Sequence, residues 1–566
     1  MKTMKKFLSM AALAMVGAMT VGCTSEDNVI DQAQTATKNN VVTQTVTVGF
    51  DEQAATRALA IDYTNKKLTK TFAEGDQIAV IYQNTSNELV KATVTIAAGD
   101  ITAEGKSAKF TVSMTDPKAS GTLKYIYPAA MAGATDLDYT KLNSQDGTLA
   151  SLASNLDLAV YDGTLTAEKA LPASATLENK LAILALTIKD NATTPNDITS
   201  TIKGMNIIAG TNSYSITGKD GDGHIYAAIQ PTSEANISYF ATDGTKNYTK
   251  AVTGKTYEAD NIYNLGLKMT DASVVSLAGR SEGATINVSN GETITGTLTD
   301  DEYGDPTSAT ITIEDGAIVT LKNVEINPVG DLTYGNGISG ITCAGNATII
   351  LEGTNTVNGF GRSGIEVKSG KTLTILGTGT LIASGYNTFS GIGGYGENGT
   401  CGNIVIKGGE ITATGGSNGG AGIGSGSDYG SCGNITISGG TVTATGGNKA
   451  AGIGSGFEGF CGNITISGGT ITATGGSDGN LHGAGIGSGA HCSIDYTTSI
   501  TITSGVTSVT ATRGGDGYEC KFIGAGSWCS GGATLTIDGV ANVTTSSTFP
   551  NFTSVVSGNT WTLTHK

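Results

Sequence analysis

The sequence is poor in the residues that most binding and catalytic chemistry requires. Of its 566 residues, only 14% are charged, eight are proline and four are histidine, and the net charge is −16. Because a phosphate backbone needs a basic face, this balance argues against nucleic acid as a partner. After the first 23 residues, no segment is apolar and long enough to cross a membrane as a helix.

Motifs for metal binding and nucleophilic catalysis are also missing. There is no CxxC pair, and no local pattern around the histidines suggests a Ser or Cys triad. Those histidines are His224, His482, His491 and His565. The one acidic cluster, 299–306, offers Asp300, Asp301 and Asp305 to calcium, but a solvated turn is the simpler interpretation. We therefore predict no cofactor, no metal and no enzymatic activity.

What the sequence does contain is glycine, with 82 residues, and Thr, Ser, Ile and Val at alternate positions. Alternation with a period of two is typical of β-strands, and glycine between such runs is typical of tight turns. The chain is too long for a single core. These features predict an all-β protein with more than one domain.

Residues 1–23 have the pattern of an export signal. A basic start precedes the apolar run "FLSMAALAMVGAM", and "TVGC" ends at Cys23. The segment resembles a bacterial lipoprotein signal, although Thr20 stands where leucine is usual; a plain secretory signal is the alternative. The resemblance implies a lipid on Cys23, and the acidic "TSEDN" after it resembles a signal for export to the outer face. We expect a surface-exposed protein anchored in the cell outer membrane, with 24–40 as a flexible tether.

Residues 41–270 contain many short strand patterns and no long helical period. The stretch "TVTVGF" places Val46, Val48 and Phe50 on one face. The most apolar run, "KLAILALTIKD" at 180–190, predicts a central strand. Such a succession is typical of a β-sandwich.

The order of motifs in this region resembles the fimbrillin family, the subunits and anchors of type V pili. The motifs are the early alternating strand "TVTVGF", "ATRA" at 55–58, "GDQIAVIY" at 75–82, the apolar strand after Lys180 and the closing "GKTYEADNIYNLGLKM". The resemblance implies two transthyretin-like β-sandwich lobes and cleavage by a trypsin-like protease between Arg57 and Ala58. It also implies other fimbrillin subunits as partners, through a donor strand that satisfies an exposed sheet edge. An ordinary loop arginine is the alternative for Arg57.

After a predicted linker at 271–283, a repeat dominates residues 284–566. The phrase "CGNITISGGTVTATGG" recurs with small changes, and a Gly–Ile step returns every 27 to 37 residues. The step lies at Ile338, Ile365, Ile392, Ile423, Ile453, Ile486 and Ile523. Such a unit buries its inner side chains only by stacking on its neighbours, which predicts a parallel β-helix. A β-propeller is the alternative, but its blades usually have more aromatic residues.

Stacking assigns an inside and an outside to each repeat. In the copy that begins at Cys432, Ile435, Ile437, Val442 and Ala444 are expected inside, and the threonines between them outside. Four cysteines are expected to share one place in successive coils, either as buried apolar residues or as strained disulfides: Cys401, Cys432, Cys461 and Cys492. Cys520 and Cys529 are the better disulfide candidates.

The loops after the Gly–Ile step often bring an aromatic ring to one edge of the predicted rod. These rings are Tyr395, Tyr429, Phe457 and Phe460. A line of exposed rings suits stacking on the sugars of a glycan, whereas rings that pack on each other would only plug the loops. The rod resembles those of bacterial surface adhesins and β-helical carbohydrate-binding modules. We therefore expect an adhesive, pilus-associated or tip-type protein with a glycan or host-surface ligand. A lipoprotein for glycan capture and, less favoured, a polysaccharide lyase are the alternatives.

Overall fold

A computed structural model gives the structure of the protein. It describes residues 40–566 except 51–59, 63–66, 103–104, 211, 281–283, 299–308, 328–336, 395–398, 493–498, 517–518 and 530–532. Cys23, Arg57, Ala58, Tyr395 and the acidic cluster at 299–306 lie outside the described residues. Within the described ranges, no helix is both apolar enough and long enough to span a bilayer.

The first half of the chain forms two sandwich-type lobes, as the family resemblance implies. Its strands are β1 (Val41–Phe50), β2 (Ala60–Asp62), β3 (Lys67–Thr69), β4 (Gln77–Gln83), β5 (Leu89–Thr95), β6 (Ile101–Thr102), β7 (Ser107–Thr115), β8 (Thr122–Tyr127), β9 (Ser144–Gln145), β10 (Ala159–Thr164), β11 (Ser174–Asn179), β12 (Ala182–Lys189), β13 (Gly204–Ala209), β14 (Asn212–Ile216), β15 (Ile225–Ile229), β16 (Thr232–Thr242), β17 (Asn247–Tyr257), β18 (Ile262–Lys268) and β19 (Thr270–Asp271). Helical segments are short: 3₁₀ turns at Ala98–Asp100, Ala129–Met131, Tyr139–Asn143 and Thr199–Thr201, one α-turn at Leu149–Ser151 and one π-turn at Leu152–Leu156.

The first lobe is a sheet in the order β5-β4-β8-β10-β11-β1-β7-β6. Its core takes side chains from strands across the whole order, so the sheet folds over on itself. Val46 and Val48 of β1 are buried in this core, as their alternation predicts. The first strand in sequence is therefore an interior strand, third from one edge of the sheet.

The second lobe packs two sheets against each other, β15-β12-β18 and β19-β17-β16-β13-β14-β9. The apolar run at 180–190 becomes β12, the central strand of the smaller sheet, and Ala182–Leu186 is completely buried. This outcome confirms the prediction of a central strand there.

The second half is a parallel β-helix. Its strands are β20 (Val274–Ser276), β21 (Thr285–Val288), β22 (Thr293–Leu298), β23 (Thr310–Ile313), β24 (Ala317–Ile326), β25 (Ile341–Cys343), β26 (Ala347–Glu352), β27 (Thr354–Asn358), β28 (Ile365–Val367), β29 (Thr372–Gly377), β30 (Thr380–Ser384), β31 (Ile392–Gly393), β32 (Asn403–Ile406), β33 (Glu410–Thr414), β34 (Ile423–Gly424), β35 (Ser431–Cys432), β36 (Ile435–Thr445), β37 (Ile453–Gly454), β38 (Phe460–Cys461), β39 (Ile464–Thr474), β40 (Ser477–Asp478), β41 (Leu481–His482), β42 (Ile486–Gly487), β43 (Ser499–Ile502), β44 (Val506–Thr512), β45 (Ile523–Gly524), β46 (Thr534–Ile537), β47 (Val540–Ala541), β48 (Phe552–Ser557) and β49 (Thr560–His565).

Identical residues stack in columns through this rod. Ile435 lies over Ile404 and under Ile464, and its side chain is completely buried. The Gly–Ile steps form one continuous sheet, β21-β23-β25-β28-β31-β34-β37-β42-β45. One step was assigned wrongly: Ile341, not Ile338, pairs with Ile365, because Ile338 belongs to a loop that bridges to Phe360.

The C-terminal end of the rod is covered by a hairpin. Strand β49 pairs antiparallel with β44 and with β48, so the parallel stacking stops there. Phe552, Trp561 and Leu563 close the end of the apolar core. The hairpin therefore acts as a cap, which a stack of open coils requires.

The rod and the second lobe are not separated by a free linker. Strand β20 lies within the segment 271–283 and pairs in parallel with β22. Two residues, Ala272 and Ser273, separate it from β19, which still belongs to the lobe. The last lobe strand thus continues almost directly into the first coil.

The lobes also lie against the flank of the rod. Phe240 on the outer face of the second lobe packs on Ile350 and Leu376, which point outward from consecutive coils. Much farther along the rod, the main-chain N–H of Ala134 donates to Oγ of Ser504 at 3.1 Å. Residues 41–566 accordingly form one compact unit.

Candidate functional sites

Strand β1 is held on both edges by strands of the first lobe. It pairs antiparallel with β7 from Val41 opposite Thr115 to Gly49 opposite Ser107. Its last residues pair in parallel with β11. Removing β1 would therefore leave two rows of unpaired backbone groups facing each other across a groove.

The two faces of β1 differ in chemistry. Val46 and Val48 are 1% and 0% exposed and point into the core. On the other face, the Thr45 hydroxyl lies 2.7 Å from that of Thr111, and Thr43 pairs in the same way with Ser113 at 2.8 Å. A strand that replaced β1 would need the same alternation of apolar and hydroxyl side chains. The predicted cleavage residues Arg57 and Ala58 follow β1 in sequence but lie outside the described residues.

The opposite end of the lobes is tied down. Strand β18 runs parallel to β12, in register from Ile183 opposite Ile262 to Lys189 opposite Lys268. Strand β19 then pairs with β17, and β20 is already part of the rod. The last strand of the sandwich cannot leave its lobe without pulling on the first coil.

The aromatic residues predicted at the edge of the rod differ in exposure. Tyr429 is 56% exposed. Phe457 is half-buried: its ring centroid lies 4.9 Å from Nζ of Lys449 and 5.8 Å from the imidazole of His491. Phe460 is also half-buried and lies in β38, beside Ser431. Phe457 thus follows the alternative in which loop rings pack on neighbouring groups, whereas Tyr429 is open to a ligand.

Two members of this edge were missed by the sequence analysis. His491 lies between Phe457 and Trp528 with both rings tilted against its own; the indole centroid lies 6.3 Å from the imidazole, and Trp528 is 54% exposed. Both residues come five positions after the isoleucine of their step, as Asp428 does. His491 and Trp528 also share a positive φ, of 62° and 58°. Counting from the Gly–Ile step would have found this column.

The cysteine pairing differs from the prediction. Cys529 forms a disulfide with Cys492, not with Cys520, and the Cα atoms of the pair are 4.6 Å apart. The reason is register: Cys492 and Cys529 each follow their step isoleucine by six residues, so the coil rise places one above the other. Cys520 lies on the other side of the step and is buried as a free thiol.

The four cysteines that were expected at one place in successive coils do not all share that place. Cys401 and Cys432 form a disulfide with Cα atoms 4.5 Å apart, and Cys461 lies in register above Cys432 as a thiol outside any disulfide. Cys492 does not continue this column, because it occupies another position in its coil. Burial raises the pKa of Cys461 to about 12 and that of Cys520 to about 11. These thiols are accordingly poor nucleophiles.

No group of three or more His, Cys, Asp or Glu side chains is arranged to hold a metal ion among the residues that the structure describes. The acidic cluster at 299–306 is not among those residues.

Comparison with known proteins agrees with the architecture. The Beta helix repeat family matches residues 404–427, 435–457 and 464–490, which lie in the stacked coils and confirm the predicted β-helix there. A comparison with curated proteins found no match.

Solved structures similar to this chain include fimbrial and cell adhesion proteins. They include a fimbrial assembly protein from Parabacteroides distasonis (8% identity, 40% of this chain and 91% of that one, TM-score 0.24). They also include a "putative cell adhesion protein" from Bacteroides uniformis (14%, 40% and 96%, TM-score 0.25) and another from Bacteroides fragilis (14%, 39% and 90%, TM-score 0.22). At these TM-scores the likeness carries no argument about function, which has to be inferred from the geometry of this chain.

Proposed function

We propose that the protein is a lipid-anchored surface protein that acts in adhesion, at the end of a fibre, by accepting a donor strand that it cannot itself pass on. The observation that carries this proposal is the position of β1. It lies between β7 and β11, buries Val46 and Val48, and immediately precedes the segment with Arg57. Its loss after cleavage would open a groove of the right length for a strand from a partner.

The other half of the proposal comes from the junction with the rod. A subunit that donates a terminal strand needs that strand free, but β18 is followed within a few residues by β19 and β20. Because β20 belongs to the rod, swinging β18 outward would strip the first coil. An acceptor without a donor ends a fibre, and the flanking rod then offers the binding surface.

The proposal is tested with a peptide of the β1 sequence, VVTQTVTVGF. Protein treated with trypsin should bind the labelled peptide, whereas untreated protein should not, because β1 still fills the groove. The treated protein should stay monomeric in size-exclusion chromatography. An Arg57→Ala variant is the matched control and should bind no peptide after treatment. Cleavage without peptide binding would overturn the acceptor role, and ladders or filaments of this protein alone would overturn the role at a fibre end.

Anchoring is tested separately. In the bacterium, Cys23→Ala should move the protein from the membrane fraction to the soluble fraction, because the acyl chains supply the hold. A Thr24→Ala variant should remain in the membrane fraction. Equal membrane association of both variants would contradict the lipid anchor.

A second candidate, capture of a glycan at the rod edge, rests on the exposure of Trp528 and Tyr429. Sugar rings stack on exposed aromatic faces, and these two side chains are more than half exposed. This candidate would be favoured if the protein binds on a glycan array, if Trp528→Ala abolishes that binding, and if Phe460→Leu, which changes a half-buried ring, leaves it intact. Binding that is equal in both variants would exclude this edge as the site. Both candidates describe a binding protein rather than an enzyme.

A further inference from the structure

A buried ion pair joins two distant segments of the first half of the chain. Lys70, just after β3, places Nζ 2.7 Å from Oδ1 of Asp157, which precedes β10 by two residues. The exposed fractions of the two side chains are 3% and 7%. Nζ also donates to the main-chain carbonyl of Asp157 at 3.0 Å, across a sequence separation of 87 residues. The amine is therefore held on Asp157 by two contacts, one to the carboxylate and one to the main-chain carbonyl oxygen.

Aromatic rings keep water away from this pair. The Phe50 ring centroid is 5.9 Å from Nζ of Lys70 and stacks on Phe72 at 4.4 Å. Tyr127 meets both rings edge-on at 5.3 Å. Phe72 and Tyr127 are 1% and 5% exposed. Two full charges in such surroundings are expensive to desolvate, and their mutual attraction only partly offsets this.

The surroundings favour the neutral forms of both groups. Burial lowers the pKa of the Lys70 ammonium, against the attraction of Asp157. Burial raises the pKa of the Asp157 carboxyl, against the attraction of Lys70. The negative charge of Asp260 adds to the rise in the pKa of the Asp157 carboxyl and only partly offsets the fall in the pKa of the Lys70 ammonium. An amine beside a carboxylic acid, in contact and shielded from water, is the reactant pair of amide formation.

We propose that Lys70 and Asp157 join through an intramolecular amide bond between Nζ and Cγ. The ammonium first passes a proton to the carboxylate along their hydrogen bond. The lone pair of Nζ then attacks Cγ; a C–N bond forms, the C–O bond to the hydroxyl breaks, and the hydroxyl leaves with one amine proton as water. The step needs no oxidant, reductant or further reactant.

The bond has a structural consequence for the segment after Arg57. Lys70 lies between that segment and β4, so a cross-link would pin the chain to the lobe thirteen residues after the predicted cleavage point. The lobe would then keep its fold when β1 and its Phe50 ring depart. The chemistry itself does not depend on strand exchange and is tested without it.

The test is a peptide map of the purified full chain, reduced, alkylated, denatured and digested with trypsin. Trypsin does not cut after a lysine whose amine is acylated. Residues 68–91, uncut at Lys70, should therefore appear joined to residues 142–169, with a mass lower than the sum of the two peptides by one water. Fragmentation should place the link on Lys70 and Asp157. Complete cleavage after Lys70, with both peptides separate, would overturn the proposal.

Two controls separate the bond from an ordinary ion pair. Lys70→Arg keeps a positive charge beside Asp157, but a guanidinium is always protonated and does not attack, so the two segments should map separately. The pair Lys246–Asp271 has the same kind of contact, an amine 3.0 Å from a carboxylate, but it is exposed to water. Trypsin should therefore cut after Lys246 as usual. A linkage of equal yield at this exposed pair would show that contact alone, and not the buried site, produces it. Because the wild-type map stands without any variant, misfolding of Lys70→Arg leaves the test intact.

Discussion

The lobes and the rod are both built from short strands divided by turns, but their sequences specify the two structures in opposite ways. In the lobes, each core position is different, and large rings such as Tyr125 and Tyr239 fill places that no other residue repeats. In the rod, Ile404, Ile435 and Ile464 form one column, and the coils that begin at Cys401, Cys432 and Cys461 are near copies of one another. The comparison teaches that a lobe depends on the fit of individual side chains, whereas the rod depends on a fixed rise from coil to coil.

The largest effect should come from a charge placed inside the rod. Ile435→Asp puts a carboxylate in a dry column without a partner and should lower the free energy of unfolding by more than about 4 kcal/mol. Its neighbour Thr436 faces outward, so Thr436→Asp should change this quantity by about 1 kcal/mol or less. Urea unfolding followed by circular dichroism measures both. Similar losses for the two variants would contradict the inside and outside assignment.

Glycine should distinguish the two regions more finely. Gly424 has a φ of +134°, and a Cβ there would overlap the carbonyl oxygen of Gly454 in the next coil. Gly424→Ala should therefore destabilise the rod by about 3 kcal/mol. A Cβ at Gly221, in the second lobe, meets nothing within 4 Å. Gly221→Ala should be neutral or stabilise by up to about 1 kcal/mol; thermal melts that fall equally for both would show that coil rise is not what constrains the rod.

A smaller effect should appear where the two regions meet. Leu376 points out of the rod into the second lobe and is 2% exposed. Leu376→Ala should cost about 2 kcal/mol and speed hydrogen exchange in both regions. Ile382 also points outward, but it is 38% exposed. Ile382→Ala should change stability by less than about 0.5 kcal/mol, and an equal effect of the two substitutions would argue against docking of the lobe on the flank.

The smallest effect should be a dependence on pH that comes from the buried thiols of the rod; residues 41–270 contain no cysteine. Burial raises the pKa of Cys343 and Cys461 from 9.0 to about 12. Since the fold favours the neutral thiols, their contribution to stability is complete below pH 9 and is lost as pH rises toward 12. Alkylation of the reduced native protein at pH 8.5 should leave both thiols unlabelled, and unfolding should expose them. Rapid labelling of the native state would refute this burial.

The rod was more predictable than the lobes because each stacked coil repeats the same pattern of inward and outward residues, so the pattern occurs many times in the sequence. The inward isoleucines and outward threonines follow from alternation alone. The disulfide partner of Cys529 follows from the distance to the Gly–Ile step, which is six residues for both Cys492 and Cys529, and not from the copies of the repeated phrase. The flank contact had a signal, since Ile350 and Leu376 each follow an inward isoleucine and so break the alternation. The contact between Lys70 and Asp157 had no signal in the sequence, because residues 87 positions apart meet only through tertiary packing.

The two contacts along the flank fix the number of coils that the rod can have between them. Phe240 grips the coils of Ile350 and Leu376, while Ala134 reaches Ser504, several coils farther on. Each coil adds about 4.8 Å to the rod. If a coil were gained or lost between Leu376 and Ser504, the two contacts could no longer form at the same time. Near-identical repeats are prone to change in number when a gene recombines. Here the folded protein itself would register such a change, because only one count of coils lets both ends of the lobes touch the rod.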